Sequence, residues 1–338
     1  MRGFYNMVLR INVSQESYEL QMLPDDILQT RMGGKGLAAH LLLRHNPPGV
    51  DPLSPDNHLI FATGPVSGSP VWGSCRHGIF TKSPQTGFFS ESYSGGKAAE
   101  RMTATGFDAV VIHGAAERPV WLEVCEEAVH FHPAGDLWGK DTYSTEDEVK
   151  AWVKANRPEA GNCGVMVIGP AGEKLARTAC VINDLNHVAG RSGMGAVMGS
   201  KNLKAIAVRG TMDIQIHFPE EALENNARLM DHIASTKFAQ IMGKWGTMFI
   251  YGVTNTTGLV RVRNFQLNQQ VRGDIEAEHI EKHALGTEGC YGCIINCRHK
   301  YRVPAGRYAG AYAEGPEYTS QGAFGMMVGC NDFDTVLI

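Results

Sequence analysis

The feature that most constrains this chain is a repeat. Shifted by 96 residues, GFDAVVIHG (residues 106–114) lies over NLKAIAVRG (residues 202–210), with Ala109 on Ala205, Val110 on Ile206, Ile112 on Val208 and Gly114 on Gly210. Each copy reads as a buried strand, and each follows a glycine turn that leads into a short helix: SGGKAAERMTAT (94–105) before the first, AGRSGMGAVMGSK (189–201) before the second. Further upstream ATGPVSG (62–68) echoes VIGPAGE (167–173). Gly190, Gly193, Gly195 and Gly199 let the backbone turn its N–H groups outward, and Arg191 adds a forked cation. A chain built this way is expected to carry two glycine loops, each suited to a phosphate or pyrophosphate. The competing reading is that the glycines only serve tight turns between strand and helix.

Size and charge narrow the function. With 338 residues the chain can hold two domains and a large core. Net charge is −4, with 20% charged and 43% hydrophobic residues, so no basic excess points to nucleic acid. No run approaches about eighteen apolar residues, so no membrane span is expected. The start, MRGFYN, lacks the apolar region of a secretion signal. The eight cysteines are scattered rather than paired, as in a reducing compartment. The expectation is a cytoplasmic protein with no nucleic acid and no membrane among its partners.

In chain order, MVLRINV (7–13) alternates as a strand and pairs with residues 17–23 as a hairpin. Pro24-Asp25-Asp26 opens a helix ending at Gly33-Gly34, and residues 37–44 make another before Pro47-Pro48-Gly49. Residues 59–62 are a short strand, and two more strands flank Ser83-Pro84. Residues 120–132 read as a hairpin, Thr145-x-x-Glu148 as a capping box, and residues 165–168 and 175–182 as strands. So many short strands and hairpins speak for α+β rather than a doubly wound sheet. From Pro219, early glutamates and an apolar stripe of Leu223, Ala227, Met230 and Ile233 open a helix. The expected plan is an α+β first domain (1–210) with an internal duplication of two β/α repeats. A mostly α-helical domain (211–338) then follows, incomplete here because NDFDTVLI stops inside a helix pattern with no C-cap signal.

CYGCIINC places Cys290, Cys293 and Cys297 at C-x2-C-x3-C spacing. Three thiolates within eight residues suit one iron–sulfur cube or one zinc ion. The order differs from the C-x3-C-x2-C run of enzymes that cleave S-adenosylmethionine, and structural zinc usually shows two complete C-x-x-C halves, so iron–sulfur leads. A fourth ligand is Cys330 or a residue beyond the chain end.

Taken together, GGKGLAAHLLL (33–43), DPLSPDNHLIFATGPVSG (51–68), TKSPQTGF (81–88), SGG (94–96), GPAGE (169–173), AGRSGMGAVMGSKNLKAIAV (189–208), CYGCIINC and EGPEY (314–318) give a sequence that resembles the tungsten- or molybdenum-containing aldehyde:ferredoxin oxidoreductases. The resemblance implies a metal held by the dithiolenes of two pterins (tungstopterin or molybdopterin), with a magnesium ion bridging their phosphates. It implies that Arg76 lies between pterin and cluster, and that Tyr93, Gly95, Val188, Gly190 and Arg191 contact phosphate or magnesium. Tyr93 stands where the family often has asparagine, and Trp72 is a candidate for the pocket wall. Cys290, Cys293 and Cys297 match three of four ligands to a [4Fe-4S] cluster, the family's fourth cysteine lying far downstream. Thr319 occupies a position where relatives often carry a glutamate, which leaves Glu314 and Glu317 as nearby carboxylates, each read first as a helix-start glutamate.

The implied activity is oxidation of a small aldehyde to a carboxylate, with electrons passing through the cluster to ferredoxin. Three rivals remain: a relative reducing aromatic acyl thioesters with the same cofactor, a non-catalytic pterin carrier and a zinc scaffold. Relatives of this family are often homodimers. The chain by itself, lacking part of the site, is expected to be inactive.

Overall fold

The computed structural model describes residues 1–270 and 273–337. The chain divides into two compact units, Met1–Glu224 and Asn225–Ile338.

The first half of the first unit runs β1 (Met7–Asn12), β2 (Ser17–Met22), α1 (Asp25–Arg31), α2 (Gly34–His45), β3 (Leu59–Ala62), β4 (His77–Lys82), β5 (Phe89–Ser94), α3 (Ala98–Thr103) and β6 (Ala109–His113). The second half runs β7 (Val120–Val124), β8 (Val129–Pro133), α4 (Thr142–Asn156), β9 (Gly164–Val167), α5 (Pro170–Glu173), β10 (Val181–Asn183), β11 (His187–Ala189), α6 (Met194–Ser200) and β12 (Leu203–Val208). Each half makes one six-stranded sheet, ordered β2-β1-β6-β3-β4-β5 and β8-β7-β12-β9-β10-β11. The pairings match one for one. Only β1–β6 and β7–β12 are parallel, and every other neighbouring pair is antiparallel. The repeated segments are β6 and β12, at the same place in each sheet, each preceded by its short helix, α3 or α6.

Burial explains the layering. Strand side chains alternate between faces. On one face of the first sheet Leu9, Ile11, Phe61, Ile79, Val110 and Ile112 meet Leu122, Met166, Leu203, Ile206 and Val208 of the second in a single core, which also takes Met102 of α3 and Met198 of α6. The outer face of the first sheet packs Ile60, Phe80 and Val111 under Leu28 of α1 and Leu37 and Leu41 of α2. That of the second packs Val165, Val167, Ala205 and Ala207 under Val149 and Val153 of α4. The unit is helix, sheet, sheet, helix. At roughly 1.5–3 kcal/mol for each large apolar side chain removed from water, the shared core outweighs any single polar contact.

Two local expectations need correction. The cap of α4 is Asp141, whose carboxylate accepts from Ser144 N at 2.7 Å. Thr145 lies inside the first turn with its hydroxyl on Asp141 O, and Glu148 pairs with Lys140. An aspartate one turn earlier supplies the cap, so the T-x-x-E pattern is not one. The strand expected over 175–182 shrinks to β10, because the chain leaving α5 turns at Leu175 in the left-handed region (φ 57°).

Buried charges tie the halves together. Lys201, between α6 and β12, is fully buried and donates to the carbonyls of Asn57 (2.6 Å), Gly114 (3.2 Å) and Pro55 (3.3 Å) in the first half. Within the second half, Glu173, in the GPAGE segment, accepts from Gly139 N and from buried Lys204.

The second unit holds α7 (Pro219–Ser235, which begins just before it), α8 (Lys237–Trp245), α9 (Phe249–Thr256), α10 (Ala277–Ile280), α11 (Tyr318–Phe324) and α12 (Phe333–Leu337). It is helical only in part. β13 (Ala284–Glu288), β14 (Arg298–Arg302) and β15 (Tyr312–Glu314) form a three-stranded antiparallel sheet. Along β14, His299 and Tyr301 are buried while Arg298, Lys300 and Arg302 face outward, a period of two that β-branched residues do not advertise. The stripe expected on α7 is not buried among the described residues: Leu223 is 53% exposed and the helix buries only Asn226. No described helix is long and apolar enough to cross a membrane.

Candidate cofactor seam and cysteine loop

β5 and β11 are edge strands at equivalent places in the two sheets, and they and the turns around them bond to each other. Ser94 Oγ donates to Asn183 Oδ1 at 2.6 Å, and Asn183 Nδ2 donates to Gly95 O at 3.0 Å. Asp184 accepts from Lys97 N (2.6 Å) and Ala98 N (3.2 Å). Arg191 N donates to Ser92 Oγ at 3.0 Å, and Ser83 Oγ to Ser192 O at 2.8 Å. Non-glycine residues hold left-handed backbone here, Asp184 at φ 47°, Leu185 at 64° and Ser192 at 62°, a conformation uncommon for residues with a side chain. Gly96, at φ 91°, has no room for a side chain: a Cβ there would stand 2.3 Å from Asp184 Oδ2. β5, which carries Tyr93 and leads to Gly95, thus runs close to β11, which carries Val188 and leads to Gly190 and Arg191.

Arg76 joins them by register. His77 pairs with Ser94 as the last rung of the β4–β5 ladder, so Arg76 and Gly95 leave the sheet side by side. Arg76 and Arg191 are both exposed, while Gly95 is buried. Tyr93 is 42% exposed, its ring edge-on to Phe80 and its hydroxyl donating to Glu91 at 3.0 Å. Burial, and then that carboxylate, push the phenol up to about 12. Its side chain is therefore spoken for by Glu91, which Lys35 also pairs at 3.0 Å. Trp72 is half-buried.

The residue that the sequence reading passed over is His77. Its ring is 1% exposed and neither nitrogen has a partner. Burial lowers it to about 4, against the pull of Asp184, with His187 and Arg76 pushing the same way as burial. It is neutral. The signal was present as an Arg-His pair opening a strand, but only the fold reveals its isolation. A buried polar side chain without a partner, next to exposed Arg76 and between tightly wound turns, fits a seam shaped for a phosphate-bearing ligand.

Cys290, Cys293 and Cys297 lie in the loop between β13 and β14, all half-buried and free of disulfides. Cys293 N donates to Cys290 O at 3.1 Å, and Gly292 and Asn296 turn through positive φ. Gly246 approaches closely enough that a Cβ would stand 2.7 Å from Cys297 O. Burial pushes the Cys297 thiol up to about 11, with Glu317, Cys290 and Cys293 adding to it. The three sulfurs thus feel one another, although among the described residues no trio of His, Cys, Asp or Glu stands in ligating geometry. The all-sulfur donor set of this loop fits a soft cation that takes thiolates, as in iron–sulfur chemistry. Cys330 sits elsewhere in the unit, packed beside a core of Tyr251, Val260 and Met326 with its thiol toward Asp332 O.

The two carboxylates separate. Glu317 is the residue before α11 and accepts from Thr247 Oγ1. Glu314 does not start a helix: it ends β15 and pairs with Arg298 at 3.2 Å and Lys300 at 3.9 Å, because the chain turns at Gly315 before α11 begins.

Comparison with known proteins gives the family. Residues 8–210 match the family described as "Aldehyde ferredoxin oxidoreductase, N-terminal domain", and residues 224–338 match "Aldehyde ferredoxin oxidoreductase, domains 2 & 3". The tungsten-containing aldehyde ferredoxin oxidoreductase of Pyrococcus furiosus is 34% identical across 100% of this chain and 55% of its own length. The enzyme of the same description from Thermococcus kodakarensis is 33% identical across 100% of this chain and 55% of its own length. The aliphatic sulfonate oxidoreductase, WOR-like subunit, of Pyrococcus furiosus is 28% identical, covering 97% of this chain and 54% of that protein. Among solved structures, the active-site complex BamBC of benzoyl coenzyme A reductase, bound to 1,5-dienoyl-CoA, superposes with a TM-score of 0.84 at 25% identity, over 98% of this chain and 51% of that one. The chain spans about half the length of the relatives it matches.

Proposed function

Because this chain belongs to the aldehyde ferredoxin oxidoreductase family, we propose that it forms the cofactor-holding part of an oxidoreductase. Residues 1–210 bind a bis-pterin cofactor carrying tungsten or molybdenum, and residues 211–338 carry three ligands of a [4Fe-4S] cluster. The observation that carries the reading is the seam, where equivalent edge strands of two equivalent sheets are bonded together and Arg76 and Arg191 leave their ends. Two equivalent loops suit two equivalent phosphates.

When bound, the cofactor supplies two-electron redox chemistry at its metal. The overall change would be an aldehyde plus water to a carboxylic acid, two protons and two electrons, with ferredoxin as the acceptor and the cluster as the relay the cysteines would hold. The chain's own residues do the holding. Arg76 and Arg191 offer forked cations to phosphate oxygens. Gly95, Val188 and Gly190 would offer backbone groups to the phosphates and to a magnesium ion bound with them. Since the Tyr93 hydroxyl is engaged by Glu91, the contact expected at this position falls to its backbone rather than its side chain. Cys290, Cys293 and Cys297, as thiolates, would hold iron.

The test is Arg191→Ala and Arg76→Ala in the full-length protein, purified without oxygen, with tungsten, molybdenum and pterin counted per chain. Both variants should lose most of the pterin while keeping their iron. Full pterin in both would refute the seam. A second reading, reduction of an aromatic acyl thioester with the same cofactor, is favoured by the likeness to benzoyl coenzyme A reductase. Turnover of an acyl-CoA but not of simple aldehydes would select it.

A further inference from the structure

We propose that His77 is a binding residue of the seam, its neutral imidazole giving one N–H to an oxygen of the bound pterin cofactor. The inference rests on the seam being that cofactor's site. Three buried histidines are described in this chain, His58, His77 and His299. His58 Nδ1 meets Asn46 Oδ1 at 2.8 Å, and both nitrogens of His299 face carbonyls, of Lys244 at 2.9 Å and Cys297 at 3.1 Å. His77 alone among them has nothing.

The polar groups around the ring are turned to other partners, and none bonds it. Ser94, opposite His77 in the ladder, gives its proton to Asn183. The Asp184 carboxylate takes the amides of Lys97 and Ala98. An imidazole buried without a partner destabilises the fold, and native chains seldom keep one without a use. Here the ring stands one residue from Arg76, within electrostatic reach of Asp184 and His187 on the opposite loop. Remaining neutral, it keeps one N–H to donate without adding a charge next to Arg76. The ligand that fills the seam would supply the missing acceptor and relieve the unpaired ring.

This predicts opposite signs for two measurements, which a purely structural histidine would not give. An apolar side chain in place of an unpaired polar one is neutral or stabilising without the ligand and harmful with it. His77→Leu and His77→Gln are made in the full-length protein, each produced with tungstate and molybdate and again without either. Without the metals, His77→Leu should melt at or above the wild-type temperature. With them, it should retain about tenfold less tungsten, molybdenum and pterin after dialysis, the loss of one hydrogen bond. Iron should be unchanged, and His77→Gln, which still donates, should retain the cofactor close to wild type. Wild-type retention by His77→Leu overturns the proposal. So does a fall in melting temperature with equal loss of cofactor in both variants, the mark of a packing residue or of a lodged water. A wild-type protein with no heavy metal or pterin would instead defeat the seam as cofactor site, an outcome visible before any variant is made.

Discussion

Replacing Lys201 by methionine isolates the clamp between the two halves of the first unit. Methionine keeps most of the aliphatic volume and removes the three donors. Of the three carbonyls that lose Nζ, Pro55 O keeps the Gly114 amide at 2.9 Å, whereas Asn57 O and Gly114 O have no other backbone partner named in the fold. Two buried carbonyls left unpaired cost about 1–3 kcal/mol each. Well above pH 7 the folded lysine is largely the neutral amine, so no buried ammonium is released by the change and the loss should be about 2–6 kcal/mol at alkaline pH. The pH dependence is the sharper check. Burial lowers the lysine to about 7 from the ordinary 10.5, with Asp56 opposing. The unfolded chain therefore binds the proton more tightly, and wild-type stability falls as pH drops from about 10.5 to about 7. Lys201→Met cannot titrate there. The wild-type advantage should be largest near pH 10 and shrink toward pH 7, followed by urea unfolding at several pH values. A variant within about 0.5 kcal/mol of wild type at pH 9, or a gap that widens as pH falls, would refute the reasoning.

Glu123 has no exposed surface and is held by Arg209 at 2.7 Å, His132 at 3.1 Å and Arg157 at 3.3 Å. Glu123→Gln should cost about 3–5 kcal/mol by leaving cations unpaired, read by urea unfolding. Burial raises this carboxyl but Arg209 and His132 outweigh it and hold it below its usual 4.5, so its contribution is present above that value and lost as pH falls through the folded one. Asp141→Ala should cost about 1 kcal/mol by uncapping α4, whereas Thr145→Ala removes only a hydroxyl bonded to Asp141 O, and a larger effect from Glu148→Ala than from Asp141→Ala would contradict the cap assignment. Cys293→Ser should lower iron per chain in the full-length protein while Cys330→Ser leaves it unchanged, and iron lost equally in both would argue against separating Cys330 from the loop.

The layout of the first unit was legible because its repeat is carried by central strands. β6 and β12 are buried on both faces, so their sequences must stay apolar, and a 96-residue shift aligns them. The cysteine loop was legible because its ligand spacing is local. What escaped were features settled by distant partners. β14 carries its alternation on Arg, His, Lys and Tyr, and only its packing between β13 and β15 makes it a strand. Asp141 outcompetes the pattern four residues later because its carboxylate reaches Ser144 N, a matter of backbone entry angle. The seam itself depends on Asn183 bonding to residues 88 and 89 positions earlier. His77 is conspicuous only once Ser94 and Asp184 are seen to be occupied.

The most direct test of the account is the metal content of the full-length protein purified without oxygen, taken with its electron paramagnetic resonance spectrum. The account predicts tungsten or molybdenum with two pterins, and about four irons per chain giving a reducible cubane signal. Zinc without iron or pterin would contradict it.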